Sequence, residues 1–485
     1  MRKPVFYFYL KLFILGIVAL QLQSCATNPV TGKSQLMLLS KDQEIALGAQ
    51  SDPEIVAAFG RYDNETIQGF INEKGQEMAR VSHMPNLKFE FKVLDSPVVN
   101  AFALPGGYVY FTRGILAHFN NEAEFAGVLG HEIGHVTARH SAQQYSRQML
   151  AQAGLIAGVI LSEDFRQYAG LAQQGIGLLF LKFGRDHESE SDRLGVEYST
   201  KIGYDAHEMA DFFGTLKRLS DKSGQSIPTF LSTHPDPADR HKKVGQLATQ
   251  WQQQVPATGF NVKRNDYLRM IEGLTYGEDP RQGYVEGNEF YHPELKFQYP
   301  VPAGWQVNNM PSQVQMAPKD GKALMMLTLA AGQDLAQAAD AMLQQYQLTQ
   351  LSRKTETVNG LRALTVMAEQ ADQQSQQVVS ILAYLIEYEG RVYQFLGMSY
   401  KQDFNTYTGT FRQTMGGFRK LTDPSKINVE PERIHIYRVE DNTNLRTALQ
   451  AAGMPSSRHE ELAILNGMEL NETLTRGTLI KVVKK

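Results

Sequence analysis

Residues 131–140 read HEIGHVTARH and contain two histidines and a glutamate whose spacing suits metal chemistry. His131 and His135 are four residues apart, so on a helix both imidazoles lie on one face and can bind one metal ion. Glu132 lies about a hundred degrees further round the helix, where its carboxylate can reach a water molecule activated by the metal. The pattern therefore predicts a metal site with a general base beside it. The five-residue motif also occurs by chance, so a third ligand is needed to identify a metal site.

A second charged stretch, RDHESESDRLG at residues 185–195, offers that ligand. A catalytic zinc site has three protein ligands and one open position for water. Glu188 and Asp192 are four residues apart, so one helix face presents a carboxylate to the metal and a second carboxylate one turn further on. Asp192 can accept the outer N–H of a liganding histidine, or it can approach the reacting carbonyl as a proton donor. Glu190 points to another side of the helix, so we predict Glu188 as the ligand; a solvated charge run is the alternative.

The motifs of this chain form a combination that resembles a known family. They are NPVTG at residues 28–32, NAFALPGGYVYFTRG at 100–114, HEIGH at 131–135, ESESD at 188–192 and STHPDPADRH at 232–241. Over about residues 28–250 the chain resembles the HtpX-like gluzincin metallopeptidases, and among them the periplasmic BepA and LoiP branch. The resemblance implies one zinc ion per chain, held by His131, His135 and Glu188. It also implies that Glu132 is the catalytic base and that Asp192 is the proton donor.

His234 lies in a loop restrained by prolines, which suits a residue held at a fixed position near a site. The resemblance implies that such a loop histidine can approach the zinc ion. There it can steady an oxyanion, or it can take the open coordination position and silence the enzyme. Arg240 can pair with Asp192 or hold the loop. The alternative for His234 is a structural turn histidine.

Three other histidines are not predicted as ligands. His140 follows His135 by five residues, which on a continuous helix is about 140 degrees away from the metal-binding face. We therefore expect His140 on the surface or behind the ligands, and we interpret His118 and His187 in the same way.

The composition limits the classes of function. A chain of 485 residues is long enough for two to four domains. The net charge of −3 provides no basic field, so no nucleic-acid partner is predicted. The mean hydropathy of −0.33 excludes a polytopic membrane protein. The single cysteine, Cys25, excludes an intramolecular disulfide.

Residues 1–25 have the features of a secretory signal: a positive start, an apolar core at residues 12–20, and a small residue before Cys25. The apolar core is too short for a stable membrane span, which needs about 20 apolar residues. The sequence LQSC at residues 22–25 resembles a bacterial lipobox, which implies a lipid on Cys25. Ala26 after the cysteine resembles lipoproteins sorted to the outer membrane, facing the periplasm. An uncleaved signal anchor is the alternative.

The segments around the motifs are expected to support the site. Residues 26–40 are predicted as a polar tether, and residues 40–84 as scaffold helices. Residues 107–112 are predicted as an edge strand that aligns an extended substrate by backbone hydrogen bonds, with a core hairpin as the alternative. Residues 149–161 and 169–180 are apolar and rich in glycine and alanine, which favours a lid over membrane contact or plain core.

After residue 255 the pattern changes to short alternating runs and aromatics. Residues 262–425 are predicted as an α/β accessory domain, loosely similar to the PsbP and Mog1 type, with a role in binding a partner or presenting substrate. Residues 432–485 resemble a LysM module, which often binds peptidoglycan. The usual opening of that module is replaced by DNTNL at residues 441–445, so protein contact is the alternative role.

The sequence thus predicts an α+β protein. Its mainly helical metallopeptidase domain at residues 26–255 has a small edge sheet, and the α/β domain and the βααβ module follow. The predicted function is that of a zinc metalloendopeptidase of the bacterial envelope. By the resemblance its substrates are misfolded or stalled envelope proteins. The alternative is an envelope chaperone or scaffold with a structural or closed zinc site and His234 as fourth ligand; Glu132 disfavours it, because a structural site needs no base.

Overall fold

The computed structural model describes residues 25–155, 183–223, 230, 233–234, 240–256, 259–371 and 378–485. The chain divides into two compact units: the first contains Gly60–Gly277 and Glu432–Lys484 together with the preceding chain to Val56, and the second is built mainly from Glu278–Pro431. The predicted signal core and most of the predicted lid lie outside the described residues. Within the described residues, no helix has both the length and the apolar character that a membrane crossing requires. The domain boundaries given above stay predictions.

The first unit is mainly helical and has one continuous hydrophobic core. Its helices before residue 278, in chain order, are α1 (Lys41–Phe59), α2 (Glu65–Val81), α3 (Arg113–His118), α4 (Glu122–Thr137), α5 (His140–Leu155), α6 (Arg185–Lys201), α7 (His207–Ser223), α8 (Arg240–Gln252) and α9 (Arg264–Met270). The two motif stretches lie on α4 and α6. Every residue of α4 is buried, so the metal-binding helix is the central helix of the unit.

A three-stranded sheet contacts α4 and corrects one prediction. It contains β3 (Glu90–Leu94), β4 (Ala101–Leu104) and β5 (Tyr108–Thr112), in the order β3-β5-β4. The strand predicted as the substrate edge, at residues 107–112, is therefore the central strand. Within the described residues the edges are β3, which runs parallel to β5, and β4, which runs antiparallel to it. The local sequence predicts that these residues form a strand, but the position of a strand within the sheet depends on long-range pairing.

Residues 25–40 are a folded segment and not a tether. Strands β1 (Cys25–Thr27) and β2 (Ser34–Leu36) form an antiparallel hairpin. Between them, the Asn28 side chain is fully buried and accepts two backbone N–H groups of the turn that follows it. Its amide also donates to the carbonyl of Ala138, at 3.3 Å, just beyond the end of α4. The turn signal at Asn28-Pro29 thus fixes the hairpin against the metal-binding helix.

The C-terminal segment shares the core of the first unit. Its elements are β18 (Glu432–Arg438), β19 (Thr443–Asn444), α13 (Leu445–Ala451), α14 (His459–Leu465), β20 (Thr473–Leu474) and β21 (Leu479–Lys484). Strand β18 pairs with β21 and also with β6 (Thr275–Tyr276), the last strand before the second unit. The chain therefore leaves and re-enters the first unit at neighbouring strands. The βααβ order agrees with the prediction, but a LysM relationship is not confirmed.

Lys481 on β21 is fully buried and joins this segment to α3. Its ammonium group donates to the carbonyls of Ala117 at 2.8 Å and Phe119 at 2.9 Å. Burial holds the pKa of Lys481 well below its usual value, while the nearby Glu124 carboxylate acts in the other direction. These bonds satisfy carbonyls at the end of a helix, which would otherwise be left without donors.

Lys481→Met should therefore destabilise the whole first unit. Two buried carbonyls would lose their donor, and we expect a loss of about 2–4 kcal/mol in the free energy of unfolding. In thermal denaturation followed by circular dichroism, this corresponds to a midpoint lowered by about 5–10 °C. The exposed Lys484 on the same strand provides the control, and Lys484→Met should unfold as the wild type does. Equal midpoints for the two variants would contradict this role.

The second unit contains two antiparallel sheets. The larger sheet has the order β10-β11-β12-β16-β15-β14-β13, formed by Gln306–Met310, Gln313–Ala317, Ala323–Leu329, Arg391–Tyr400, Val378–Tyr388, Leu361–Ala371 and Thr349–Val358. The smaller has the order β17-β9-β8-β7, formed by Arg419–Lys420, Phe297–Pro300, Glu289–His292 and Tyr284–Glu286. The helices are α10 (Leu335–Gln345), α11 (Phe404–Gly416) and the short α12 (Pro424–Ile427).

Strand β15 shows how this sheet buries both faces. Its residues 382, 384 and 386 belong to one hydrophobic core with Phe411 of α11, and residues 381, 383 and 385 belong to another with Met342 of α10. Alternate residues of a strand point to opposite faces, so α10 and α11 cover opposite faces of the sheet. This arrangement explains why residues 381–386 of the strand form an uninterrupted apolar run.

Candidate metal centre

Helices α4 and α6 are held close together at the site. Asn121 caps α4 by accepting the backbone N–H of Glu124 at 2.8 Å. Gly130 on α4 and Gly195 on α6 face each other so closely that a Cβ on Gly130 would lie 2.9 Å from the Cα of Gly195. Small residues at the crossing therefore set the separation of the two motif helices. A larger side chain at either position would push the metal-binding residues apart.

The predicted ligands and His234 converge on one point. Nε2 of His131 lies 3.0 Å from Nε2 of His135 and 3.2 Å from Nδ1 of His234. Oε1 of Glu188 lies 3.1 Å from that Nδ1 and 3.4 Å from Nε2 of His135. All four side chains are buried. Ligands bound tetrahedrally at zinc distances are separated by roughly 3.3 Å, so the four atoms have the spacing of a tetrahedral metal site.

The chemistry of these donors fits a metal ion. Three imidazole nitrogens and one carboxylate oxygen form a set that suits zinc. Among the described residues, Oε2 of Glu188 and both carboxylate oxygens of Glu132 are buried and have no hydrogen bond. A terminal nitrogen of Arg240 lies 3.4 Å from Oε2 of Glu188. A metal cation among the donors would further compensate these buried charges. Oε1 of Glu132 lies 3.6 Å from Nε2 of His234, beside the four converging atoms and not among them.

The pKa shifts of His135 and Glu188 agree with metal binding. Although burial acts to lower the pKa of His234, the Glu188 and Glu132 carboxylates raise it. Burial holds the pKa of His135 well below its usual value, so its imidazole is neutral and has a free lone pair. Burial alone would raise the pKa of Glu188, but the charge of His234 and hydrogen bonds from the histidines hold it well below its usual value. Burial raises the pKa of Glu132. The site thus contains an ionised carboxylate ligand and a second carboxylate with increased proton affinity.

Asp192 lies behind His131 and fixes its orientation. Its Oδ1 accepts from Nδ1 of His131 at 2.9 Å, so that nitrogen carries the proton and Nε2 presents a lone pair. Arg240 holds the same carboxylate with two bonds, from Nε at 2.8 Å and from a terminal nitrogen at 2.7 Å. Although burial acts to raise the pKa of Asp192, Arg240 and His131 together lower it. Of the two predicted roles, this geometry favours the acceptor role over that of proton donor.

The remaining histidines occupy different surroundings. His140 is buried and contacts His135, so the expected surface position is wrong, whereas a position behind the ligands is what the structure has. The ring of His187 stacks on His140 at 4.3 Å. His118 lies on α3, where its Nδ1 bonds the Gly114 carbonyl of its own helix. None of these three belongs to the four-residue cluster found among the described residues.

Sequence reasoning overlooked Glu190 as a functional candidate. On helical spacing it points away from the metal, and its carboxylate instead lies 3.1 Å from Nε2 of His140. The HVTARH stretch at residues 135–140 could have drawn attention to His140, but not to this pairing. The loop of His234 has one further anchor, because the N–H of Phe230 donates to the carbonyl of Val99 at 3.2 Å, just before β4.

Comparison with known proteins supports a metallopeptidase domain in this region. Residues 66–248 match the family described as Peptidase family M48. A beta-barrel assembly-enhancing protease of Yersinia pestis is 31% identical over 268 residues, which are 52% of this chain and 52% of that protein. The mitochondrial metalloendopeptidase OMA1 of Arabidopsis thaliana is 32% identical over 187 residues, 38% of this chain and 36% of that protein. The chain therefore spans about half the length, or less, of these relatives.

The similarity to solved structures is weaker. Among solved structures, cyanobacterial PsbP from Synechocystis is similar with a TM-score of 0.22 and 11% identity, over 28% of this chain and 96% of that one. A likeness at this score decides nothing, so the PsbP- and Mog1-like fold of the accessory domain stays a prediction. Residues 66–248, which contain the four converging side chains and Glu132 beside them, are the part of this chain that is similar to the M48 metallopeptidases.

Proposed function

We propose that this protein is a zinc-dependent metalloendopeptidase. The observation that carries the proposal is the buried convergence of His131, His135 and Glu188, with the Glu132 carboxylate beside them buried and without a hydrogen bond in the described structure. A structural zinc site needs ligands only, whereas a peptidase also needs a base within reach of the attacking water. The similarity of residues 66–248 to M48 peptidases, and the names of the relatives, support the same function.

The residues divide the chemistry between them. His131, His135 and Glu188 would hold zinc, which when bound supplies Lewis acidity to the scissile carbonyl and to the attacking water. Glu132 takes the proton of that water and delivers it to the departing amide nitrogen. The burial that raises the pKa of Glu132 suits a group that must first accept a proton and then release it. Asp192 and Arg240 orient His131.

His234 gives the site a resting state. With His234 as a fourth ligand the metal has no open position, which is the composition of a structural site. Withdrawal of His234 would open that position and free the space beside Glu132. We propose that the peptidase is restrained by its own loop and becomes active when His234 leaves. The alternative role, in which His234 steadies the oxyanion, requires it to stay.

The edge strand β4 is the proposed site of substrate alignment. The N–H of Thr112 donates to the Asn100 carbonyl, so residues 100, 102 and 104 direct their backbone groups toward β5. In an antiparallel pair the alternate residues point the other way, toward an added strand. Of these, Ala101 is fully buried, whereas Ala103 is partly exposed and can offer its backbone groups. An extended substrate would pair with this edge through its backbone, largely independently of its side chains.

The setting is proposed from the sequence and the relatives. We propose a lipid on Cys25, attachment to the bacterial outer membrane, and a periplasmic catalytic unit. The name of the Yersinia relative refers to beta-barrel assembly, which supports unfolded or misassembled envelope proteins as substrates. The segment at residues 432–485 could contact peptidoglycan if it is a LysM module. An envelope chaperone or scaffold with a closed zinc site is the rival function, but the position of Glu132 beside the ligands and the comparisons do not favour it.

Zinc content and casein cleavage test the proposal on soluble protein that lacks residues 1–25. We expect about one zinc ion per chain, as for a mononuclear catalytic site. We also expect slow cleavage of casein that a chelator removes and added zinc restores. Zinc at this level without cleavage of casein or of unfolded envelope proteins, by the wild type and by His234→Ala alike, would favour the binding protein.

A further inference from the structure

The outer nitrogen of His135 faces a second histidine and not a carboxylate. Its Nδ1 lies 3.1 Å from Nδ1 of His140, and the opposite nitrogen of His140 lies 3.1 Å from Oε2 of Glu190. Both imidazoles are buried, while 19% of the Glu190 side chain is exposed. A row of His135, His140 and Glu190 thus leads from the metal centre toward the surface of α6.

The proton positions along this row follow from metal binding. If Nε2 of His135 binds a metal, its Nδ1 must carry the proton and donates it toward Nδ1 of His140. His140 then accepts at Nδ1 and carries its own proton at Nε2, which donates to Glu190. The hydroxyl of Ser191, 3.2 Å from Nδ1 of His140, can also donate to that nitrogen. His135 is then neutral, and its Nε2 directs a free lone pair toward the metal.

The two liganding histidines are supported in different ways. His131 donates directly to Asp192, which Arg240 also binds. His135 reaches its carboxylate, Glu190, only through the imidazole of His140. Because outer partners commonly set the orientation and basicity of a liganding histidine, the row at His135 is expected to influence metal affinity as Asp192 does at His131.

A break between α4 and α5 brings His140 to this position. Arg139 has φ of +58°, the left-handed conformation that residues other than glycine rarely adopt. The break turns His140 back onto His135, where a continuous helix would point it away. Arg139 is held by the buried Glu44, with one bond of 2.7 Å, and by the Leu39 carbonyl at 3.0 Å. Asn28 bonds the preceding carbonyl, of Ala138. The N-terminal segment therefore stabilises the corner.

We propose that His140 and Glu190 are positioning residues for the metal ligand His135, and that the corner at Ala138 and Arg139 places His140 against His135. This inference rests on the proposed zinc site. His140 fixes the proton on the outer nitrogen of His135, and Glu190 fixes the proton on His140. Neither residue touches the metal or the substrate.

Zinc affinity, measured by competition with a chromophoric chelator, tests the pair without relying on cleavage. His140→Leu keeps apolar bulk but removes the acceptor, and should weaken zinc binding by about 10- to 100-fold. His140→Gln restores an acceptor oxygen and should recover most of the affinity. Glu190→Gln keeps an acceptor but removes the charge, so a smaller loss is expected. The visible spectrum of the cobalt-substituted protein should change in His140→Leu and return toward that of the wild type in His140→Gln.

His118→Leu is the matched control, because His118 is also buried but bonds only within its own helix in the described structure. It should bind zinc as the wild type does. Wild-type zinc affinity in His140→Leu would overturn the inference, because His140 would then have no role in metal binding. Equal losses of affinity in His140→Leu and His140→Gln would also overturn it, because they would indicate a packing role alone. A wild-type protein that binds no zinc would overturn the proposed function as well, so the two failures are distinguishable.

Discussion

Replacement of Glu132 by glutamine is expected to leave zinc binding intact and to lower kcat/KM for peptide cleavage by about 10²- to 10⁴-fold, the range of a lost general base. Glutamine has nearly the same shape, and Glu132 is not one of the four converging ligands, so the cluster should survive. The amide, however, cannot take a proton from water at neutral pH. Binding and catalysis should therefore separate in this variant.

The measurement is zinc content together with cleavage of a fluorogenic peptide. Glu197→Gln provides the control, since Glu197 is also a buried glutamate, on α6, but pairs with Arg193 and Lys201 on the same helix. This control should cleave as the wild type does. Normal cleavage by Glu132→Gln would show that another group is the base.

Replacement of His234 by alanine is expected to raise kcat/KM, on the order of a hundredfold. Four-ligand zinc sites bind with about 10–16 kcal/mol in total, so one ligand contributes roughly 3 kcal/mol. If His234 holds the closed state by that amount, only a small fraction of the wild type is open at any moment, and removing the ligand removes this penalty. Zinc should remain bound by the three other ligands.

The same peptide assay with zinc analysis distinguishes the roles of His234. Increased cleavage with zinc retained supports a restraint. Decreased cleavage with zinc retained would instead assign His234 to the reaction, and loss of zinc would make it an essential ligand. His241→Ala serves as control, because the His241 side chain is 63% exposed and its ion pair, with Asp211, is outside the cluster.

The core of the site could be predicted because helical spacing is local. His131, Glu132 and His135 lie on one helix, and Glu188 and Asp192 lie one turn apart on another, so sequence separation translates into geometry. The surface alternative for His140 arose for the same reason: the extrapolation assumed a continuous helix across Arg139. An arginine in the left-handed conformation has no local signature, since Glu44, which holds it, is far away in sequence.

Larger features of the fold were harder to predict because they depend on partners. Strand β5 was recognised as a strand, but its central position depends on β3 and β4 pairing on either side. Strand β13 has little signal in the sequence, because nearly all its residues are exposed and polar. The apolar strands β14 to β16 have a clearer signal, since their residues are buried against two cores.

The docked hairpin at residues 25–40 has a consequence for where the enzyme can work. Asn28 is only three residues from Cys25, a span of at most about 11 Å, and it is bonded to Ala138 at the end of the metal-binding helix. A free tether of fifteen residues would instead reach about 50 Å. Under the proposed lipidation, the active centre is therefore kept at a short, nearly fixed height above the bilayer. Such an enzyme would cleave polypeptides at the membrane surface and not those farther away in the periplasm.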